Sequence, residues 1–126
     1  LHLSDRRQRQ MCIRDSSFKN LNLHLPNDKE KKNNHAYHLY TIRLNRKSKV
    51  DRDKLMKLMH LNKIGTGVHY KSITNFNYYK KRYNWNDKDY PIANKIGRNT
   101  CSLPLSPSMT LNDVERVIKA VKKILN

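Results

Sequence analysis

The most regular hydrophobic pattern of the chain lies near its C-terminal end. Thr110 and Asp113 stand three positions apart, as the N-cap and N3 residues of a helix do when they form a capping box. After them, apolar residues recur three and four positions apart, which is the period of an amphipathic helix. The pattern therefore predicts a helix after Thr110 with an apolar face formed by Val114, Val117, Ile118, Val121, Ile124 and Leu125.

Two other segments carry helix signals. Asp51 is a suitable N-cap residue, apolar residues at helical spacing follow it, and Gly65 is expected to end that helix. Pro91 suits the first turn of a further helix, because an amide proton at that position would have no partner within the helix. The apolar positions expected to face the interior are Leu55, Leu58 and Met59 in the first of these helices and Ile92, Ala93 and Ile96 in the second.

Short apolar and alternating segments predict strands between these helices. In the best of them, residues 35–44, the side chains of Tyr40, Ile42 and Leu44 share one face. Weaker candidates are residues 21–26, 68–70 and 101–105. A few short strands alternating with helices favour an α+β fold with two layers, in which helices cover one side of a small sheet.

The chain is also strongly basic. The 126 residues carry a formal net charge of +17, from 27 lysines and arginines against 10 carboxylates. Such an excess can indicate a polyanionic partner. It can also follow from the codon usage of an AT-rich genome, since Lys, Asn, Ile and Tyr are all abundant here. We favour the second explanation, because the charges are scattered along the chain.

One segment keeps a nucleic-acid function open as the alternative. Residues 78–85, YYKKRYNW, interleave aromatic and basic side chains, as proteins that bind single-stranded nucleic acid do. The alternative is therefore a standalone basic module that binds single-stranded nucleic acid. A surface helix anchored by its aromatic side chains explains the same pattern, and we favour that interpretation, so nucleic acid is the less expected partner.

The first 16 residues differ in character from the rest. Residues 6–16, RRQRQMCIRDS, resemble the translation of an adaptor used to prepare sequencing libraries. We interpret residues 1–16 as a non-native, disordered tail, which is left out of reasoning about the fold. The structured domain is then residues 17–126, and we expect it to be the end of a longer reading frame.

Cysteines, histidines and hydropathy limit the class of protein further. The two cysteines, Cys12 and Cys101, do not indicate a disulfide framework. His35 and His38 lie close in sequence, but no cysteine or carboxylate at useful spacing completes a metal site, so none is predicted. No apolar run approaches the roughly 20 residues of a membrane span, and the start of the chain lacks the apolar core of a signal peptide. The sequence predicts a soluble, cytoplasmic protein.

A series of short motifs resembles one enzyme family. HLY, GTGVHY, the tyrosine pair, YPIA and SLPLSPSMT follow one another, over roughly residues 21–125, as in the small C-terminal domain of the DegT/DnrJ/StrS sugar aminotransferases. The resemblance implies the small domain of a fold type I pyridoxal phosphate enzyme, with a short, mostly antiparallel sheet. It also implies transfer of an amino group from glutamate to a nucleotide-linked keto-sugar, with a UDP-linked 4-keto sugar favoured, by a homodimer that serves cell-surface polysaccharide biosynthesis.

The same resemblance gives roles to few residues of this chain. In the family the large domain supplies the lysine that binds pyridoxal 5'-phosphate, and no motif for it occurs here, so a fragment without catalytic residues is implied. Lys19 stands too close to the small-domain strands to be that lysine. His69 and Tyr70 match the family's His-Tyr or His-Phe pair, which implies that they contact the substrate. Ser72 and Thr74 replace the proline and second histidine that many members carry after this pair.

Overall fold

Helices and a small sheet make up the structure, a computed structural model that describes residues 3–26, 36 and 38–126. In chain order the elements are α1 (Leu3–Phe18), β1 (Leu23–His24), β2 (Tyr40–Leu44), α2 (Arg52–Leu61), α3 (Asn77–Tyr83), α4 (Pro91–Asn99), β3 (Thr100–Leu103) and α5 (Leu111–Leu125). Two short 3₁₀ turns, Ile73–Asn75 and Asp87–Asp89, flank α3. Within the described ranges, no helix is long and apolar enough to cross a membrane.

The three strands form one antiparallel sheet in the order β1-β2-β3. Tyr40 pairs with Leu103 and Ile42 with Cys101, so these four side chains lie on one face of the sheet. All four are buried, whereas Arg43, on the other face, is exposed. The α+β class and the antiparallel sheet predicted from the sequence are confirmed. Residues 35 and 37 of the predicted strand lie outside the described residues, whereas residues 36, 38 and 39 are described and do not belong to β2, so the strand is shorter than predicted.

Helices pack against the face of the sheet that carries the buried side chains. α2 packs on β3 and on α5, and α1 packs on α5. The predicted capping box is confirmed, because Thr110 Oγ1 accepts from the Asp113 amide at 3.2 Å and Asp113 Oδ2 accepts from the Thr110 amide at 2.8 Å. The predicted apolar face of α5 is also confirmed, with Val114, Val117, Ile118, Val121 and Leu125 buried and Ile124 packed against the core.

The segment after α2 differs from the prediction in two places. Lys63, rather than Gly65, adopts the left-handed conformation that ends the helix, with φ of 57°. Residues 68–70 do not form a strand, because only Gly67 pairs with the sheet, in a single bridge to Ser102. After this bridge, the ring of His69 folds back onto Gly67.

The orientation predicted for α4 is wrong. Ile92 is 75% exposed and Ile96 39% exposed, whereas the buried positions are Asn94 and Gly97. The physical reason is that α4 packs through hydrogen bonds and a close backbone contact instead of an apolar stripe. Ile96 instead lines an open groove together with Arg43, which lies on the face of the sheet opposite the core.

The structure differs from the expectation of a disordered N-terminal tail, because residues 3–18 form α1. Met11 and Phe18 belong to the buried core, and Tyr40 donates from its hydroxyl to Asp15 Oδ1 at 2.7 Å. Gln10 Nε2 donates to the carbonyl of Ser106 at 2.9 Å. The helix is therefore ordered by packing against α5 and β2. These contacts do not test whether the segment derives from adaptor sequence, which stays a prediction.

One residue of α1 is poorly suited to its place. Arg14 is fully buried, and its Nε and Nη1 atoms have no hydrogen-bond partner. Its guanidinium lies 5.3 Å from the centroid of the Tyr40 ring, and Nη2 lies 3.8 Å from Met109 Sδ. Burial lowers the pKa of Arg14 to about 10. The charged form is thus disfavoured by its surroundings.

We expect Arg14→Met to stabilise the protein. Methionine keeps the length and flexibility of the side chain but removes the unpaired donors, and leaving a buried donor unpaired costs about 1–3 kcal/mol. The free energy of unfolding, measured by chemical denaturation, should rise by a similar amount. Arg9→Met, at an exposed position of the same helix, is the matched control and should change little. A larger loss of stability in the Arg14 variant than in the control would contradict this expectation.

The two cysteines should differ sharply in reactivity. Cys101 is buried in β3, and its burial raises the pKa of the thiol to about 11, whereas Cys12 is exposed. Because the thiolate is the reactive form, one thiol per native chain should react with a thiol reagent at pH 8, and the second only after denaturation. Cys12→Ser should abolish the fast reaction. Fast labelling of the native Cys12→Ser variant would show that β3 is accessible.

Candidate functional site

The loop that carries His69 and Tyr70 is anchored to the edge of the sheet. The amide of Gly67 donates to the carbonyl of Ser102 at 3.1 Å, and the amide of Ser102 donates back at 2.8 Å. The peptide bond between His69 and Tyr70 is cis. The anchored loop places the His69 side chain next to the polar face of the sheet.

A row of three polar side chains fixes the His69 ring. His69 Nδ1 lies 3.0 Å from Ser102 Oγ, which in turn lies 2.9 Å from Thr41 Oγ1. Ser102 and Thr41 are directly paired across β3 and β2, on the face opposite the core. No hydrogen bond to His69 Nε2 is found in the part of the chain that the structure describes. The second ring nitrogen is therefore available to a ligand.

Packing restricts the His69 ring further. A Cβ atom placed on Gly67 would lie 2.7 Å from His69 Cε1, so the ring occupies the space where a side chain would otherwise stand. The rings of His69 and Tyr70 meet edge to face, with centroids 5.0 Å apart. Tyr70 is 73% exposed and His69 is half-buried. The structure thus brings the two predicted site residues together at an open surface.

α4 supports this loop from its other side. A Cβ atom on Gly97 would lie 2.7 Å from the amide nitrogen of Ser72 and 3.2 Å from the carbonyl oxygen of Tyr70. Asn94 accepts at Oδ1 from Asn75 Nδ2 at 2.6 Å. The side chain of Asn94 also donates to the carbonyl of Asp87, so it connects the loop to the turn that precedes α4.

Ser72 and Thr74, the two residues that depart from the family pattern, have structural contacts. Both are buried, and their hydroxyl oxygens lie 2.8 Å apart. Thr74 Oγ1 also lies 3.5 Å from Asn94 Oδ1. In this chain these two side chains hold the 3₁₀ turn against α4.

A groove beside the loop has a basic lining that the sequence did not predict. We call it the basic groove. It has a volume of about 410 Å³, and its lining residues are Arg52, Val68, Lys71, Asn75, Gly97 and Arg98. Arg52 Nη1 donates to the carbonyls of Gly97 and Thr100 at 3.3 and 3.4 Å. Its three cations come from three separate segments, so no local motif could have revealed the groove. Only the packing of α2, the loop and α4 brings them together.

The aromatic and basic segment at residues 78–85 forms a cluster with its own contacts. The rings of Tyr79, Tyr83 and Trp85 stack on one another, with centroids 5.2 to 6.2 Å apart. Lys80 Nζ forms an ion pair with Asp87 Oδ1 at 2.7 Å. Because these ring faces are used within the cluster, the arrangement favours an anchored surface helix over a platform on which bases stack.

Comparison with known protein sequences points to one family. The model of the DegT/DnrJ/EryC1/StrS aminotransferase family matches residues 2–122. The uncharacterized protein MJ1066 of Methanocaldococcus jannaschii is 33% identical over 122 residues, which are 96% of this chain and 32% of that protein. Spore coat polysaccharide biosynthesis protein SpsC of Bacillus subtilis is 38% identical over 93 residues, or 72% of this chain and 24% of that protein.

Solved structures agree with these sequence matches. Spr1654 of Streptococcus pneumoniae, a candidate sugar aminotransferase, resembles this chain in its PMP-form with a TM-score of 0.88, 25% identity, and coverage of 97% of this chain and 30% of that chain. Its PLP-form gives a TM-score of 0.85 at the same identity, with 97% and 32% covered. The chain therefore spans about a third or less of the length of the relatives that it matches.

Gly97→Ala should destabilise the loop that carries His69. The new Cβ would meet backbone atoms that cannot move independently of the loop, and overpacking of this kind costs about 1–3 kcal/mol. Denaturant unfolding should show this loss. Gly65→Ala is the matched control, because a Cβ there has nothing within 4 Å. Equal effects of the two substitutions would show that α4 and the loop are not in tight contact.

Proposed function

This chain belongs to the DegT/DnrJ/EryC1/StrS aminotransferase family, and we propose that it acts as the small domain of a pyridoxal phosphate-dependent sugar aminotransferase. The observation that carries the proposal is the His69-Tyr70 loop, held at an open edge of the domain by β3 and α4. The share of the relatives' length that the chain covers leaves room for a large domain with the lysine and the other catalytic groups. The chain by itself is then inactive.

For the substrate we propose a nucleotide-linked keto-sugar, with a UDP-linked 4-keto sugar first, and glutamate as the amino donor. The sugar is supported by SpsC, whose name refers to polysaccharide biosynthesis, and by Spr1654. The nucleotide and the donor are extensions from the family resemblance. We further propose that the complete enzyme is a cytoplasmic homodimer.

Pyridoxal 5'-phosphate would supply the electron sink that amino transfer requires. A complete site for it needs a lysine for its aldehyde, donors for its phosphate and a carboxylate for its pyridine nitrogen. The lining of the basic groove offers donors to a phosphate but contains no carboxylate. The lining of the basic groove therefore does not form a complete cofactor site by itself, and in our proposal the large domain holds the cofactor.

His69 in this proposal orients the sugar substrate. The Ser102 hydroxyl has one proton and lies between His69 Nδ1 and Thr41 Oγ1. When that proton is donated to Nδ1, the neutral ring carries its own proton on Nε2 and can donate it to a substrate oxygen. Tyr70, exposed beside it, offers a ring face and a hydroxyl to the same substrate.

We expect His69→Ala to lower kcat/KM for amino transfer to the keto-sugar in the full-length enzyme. Losing one hydrogen bond to a charged or reacting group lowers kcat/KM by about tenfold or more. The measurement is the glutamate-dependent amination of a UDP-linked 4-keto sugar. Ser102→Ala should lower it less, because the ring remains but is less well oriented.

Lys57→Ala, at an exposed position of α2, is the control and should retain full activity. An unchanged kcat/KM in the His69 variant would remove the proposed role of this residue. A full-length protein that binds no pyridoxal phosphate and transfers no amino group to any keto-sugar would overturn the proposed function itself.

A further inference from the structure

We propose that the basic groove binds the diphosphate of the nucleotide-linked substrate, an inference that rests on the proposed function. The groove is formed by the start of α2, the loop after His69 and the end of α4. Three of its lining residues, Arg52, Lys71 and Arg98, are cationic, and none of the six is a carboxylate. Such a surface attracts a compact anion.

Arg52 is fixed in position before any ligand arrives. Its side chain is only 16% exposed, and besides donating to the carbonyls of Gly97 and Thr100 it pairs through Nε with Asp53. Among the described residues, nothing accepts a hydrogen bond from its Nη2. A guanidinium held in this way loses little conformational freedom on binding, so it can donate to a phosphoryl oxygen at low entropic cost.

The two other cations are brought together by the contact at Gly97. A Cβ on Gly97 would lie 3.4 Å from the carbonyl carbon of Lys71, and Arg98 is the next residue along α4. The backbones that carry Lys71 and Arg98 are therefore in direct contact. Lys71 Nζ lies 5.1 Å from the centroid of the Phe76 ring, so the charge makes a cation–π contact within the loop.

The position of the groove favours a diphosphate over other anions. Val68 and Lys71, which line it, flank the His69-Tyr70 pair in the chain. In this proposal the diphosphate occupies the groove, and the sugar bonded to it extends toward the His69-Tyr70 pair. With a volume of about 410 Å³, the groove is large enough for two phosphoryl groups. Glutamate carries its two carboxylates on a flexible chain together with a positively charged ammonium group, which a lining with three cations binds less well.

The test measures the binding of uridine diphosphate to the 126-residue chain by isothermal titration calorimetry at fixed ionic strength. Lys71→Gln/Arg98→Gln removes two exposed cations of the groove, and Lys57→Gln/Lys119→Gln removes two exposed cations elsewhere, so both doubles lose the same net charge. We expect about tenfold weaker binding for the first double, because charge-assisted contacts are lost. The affinity of the second double variant should stay within about twofold of the original affinity, because salt screens the charges that lie far from the groove. Circular dichroism checks that both retain their helices.

Three outcomes would overturn the proposal. The first is no saturable binding of uridine diphosphate, or equal weakening in both doubles, which would reflect only the overall positive charge. The second is tighter binding of glutamate than of uridine diphosphate. The third is pyridoxamine phosphate competing as well as uridine diphosphate, which would assign the groove to the phosphate of the cofactor.

The outcomes also distinguish a failure of the groove assignment from a failure of the proposed function. If the chain fails to bind uridine diphosphate while the full-length enzyme aminates a keto-sugar, only the groove assignment is wrong. If the chain binds uridine diphosphate with the expected loss in the groove double but the full-length protein transfers no amino group, the groove assignment holds and the enzymatic proposal fails.

Discussion

The candidate site depends on one close backbone contact, between Gly97 in α4 and the loop at Ser72. A side chain at position 97 would collide with the Ser72 amide, so only glycine lets the two backbones approach this closely. Arg52 extends the same contact by donating to the carbonyl of Gly97, which ties the start of α2 to the end of α4. Loop, α2 and α4 therefore form one unit, and both the His69-Tyr70 surface and the basic groove are consequences of it.

This contact also explains which elements the sequence could predict. The face of α5 and the inner face of β2 were predictable because apolar burial imposes a period on the sequence, as at Ile42 and Val121. α4 was not, because it packs through Asn94 and Gly97, and an amide and a glycine leave no hydrophobic signal. Its isoleucines were therefore assigned to the interior, although Ile92 is 75% exposed.

In the candidate site, too, residues that are close in sequence could be predicted, whereas residues brought together by the fold could not. The His69-Tyr70 pair was found through a contiguous motif, since both residues lie in one short segment. Arg52 and Arg98 belong to different helices and come together only through the fold. The helix at the start of the chain was missed for a different reason, because residues 1–16 were interpreted as adaptor-derived and left out of reasoning about the fold. Its packing rests on a few residues, Met11 and Phe18 above all, and it buries Arg14 without partners for two of its nitrogen atoms.

β3 connects the stability of the domain to the geometry of the site. Successive residues point to opposite faces of the sheet, so Cys101 and Leu103 fill the core while Ser102 contacts His69. A shift in register of one residue would place the Ser102 hydroxyl in the core and the Cys101 side chain beneath His69. Burying an unpaired hydroxyl and exposing two apolar side chains would both oppose that shift. The forces that hold the core together therefore also keep the hydrogen-bond partner of His69 in place, without any further constraint from the loop.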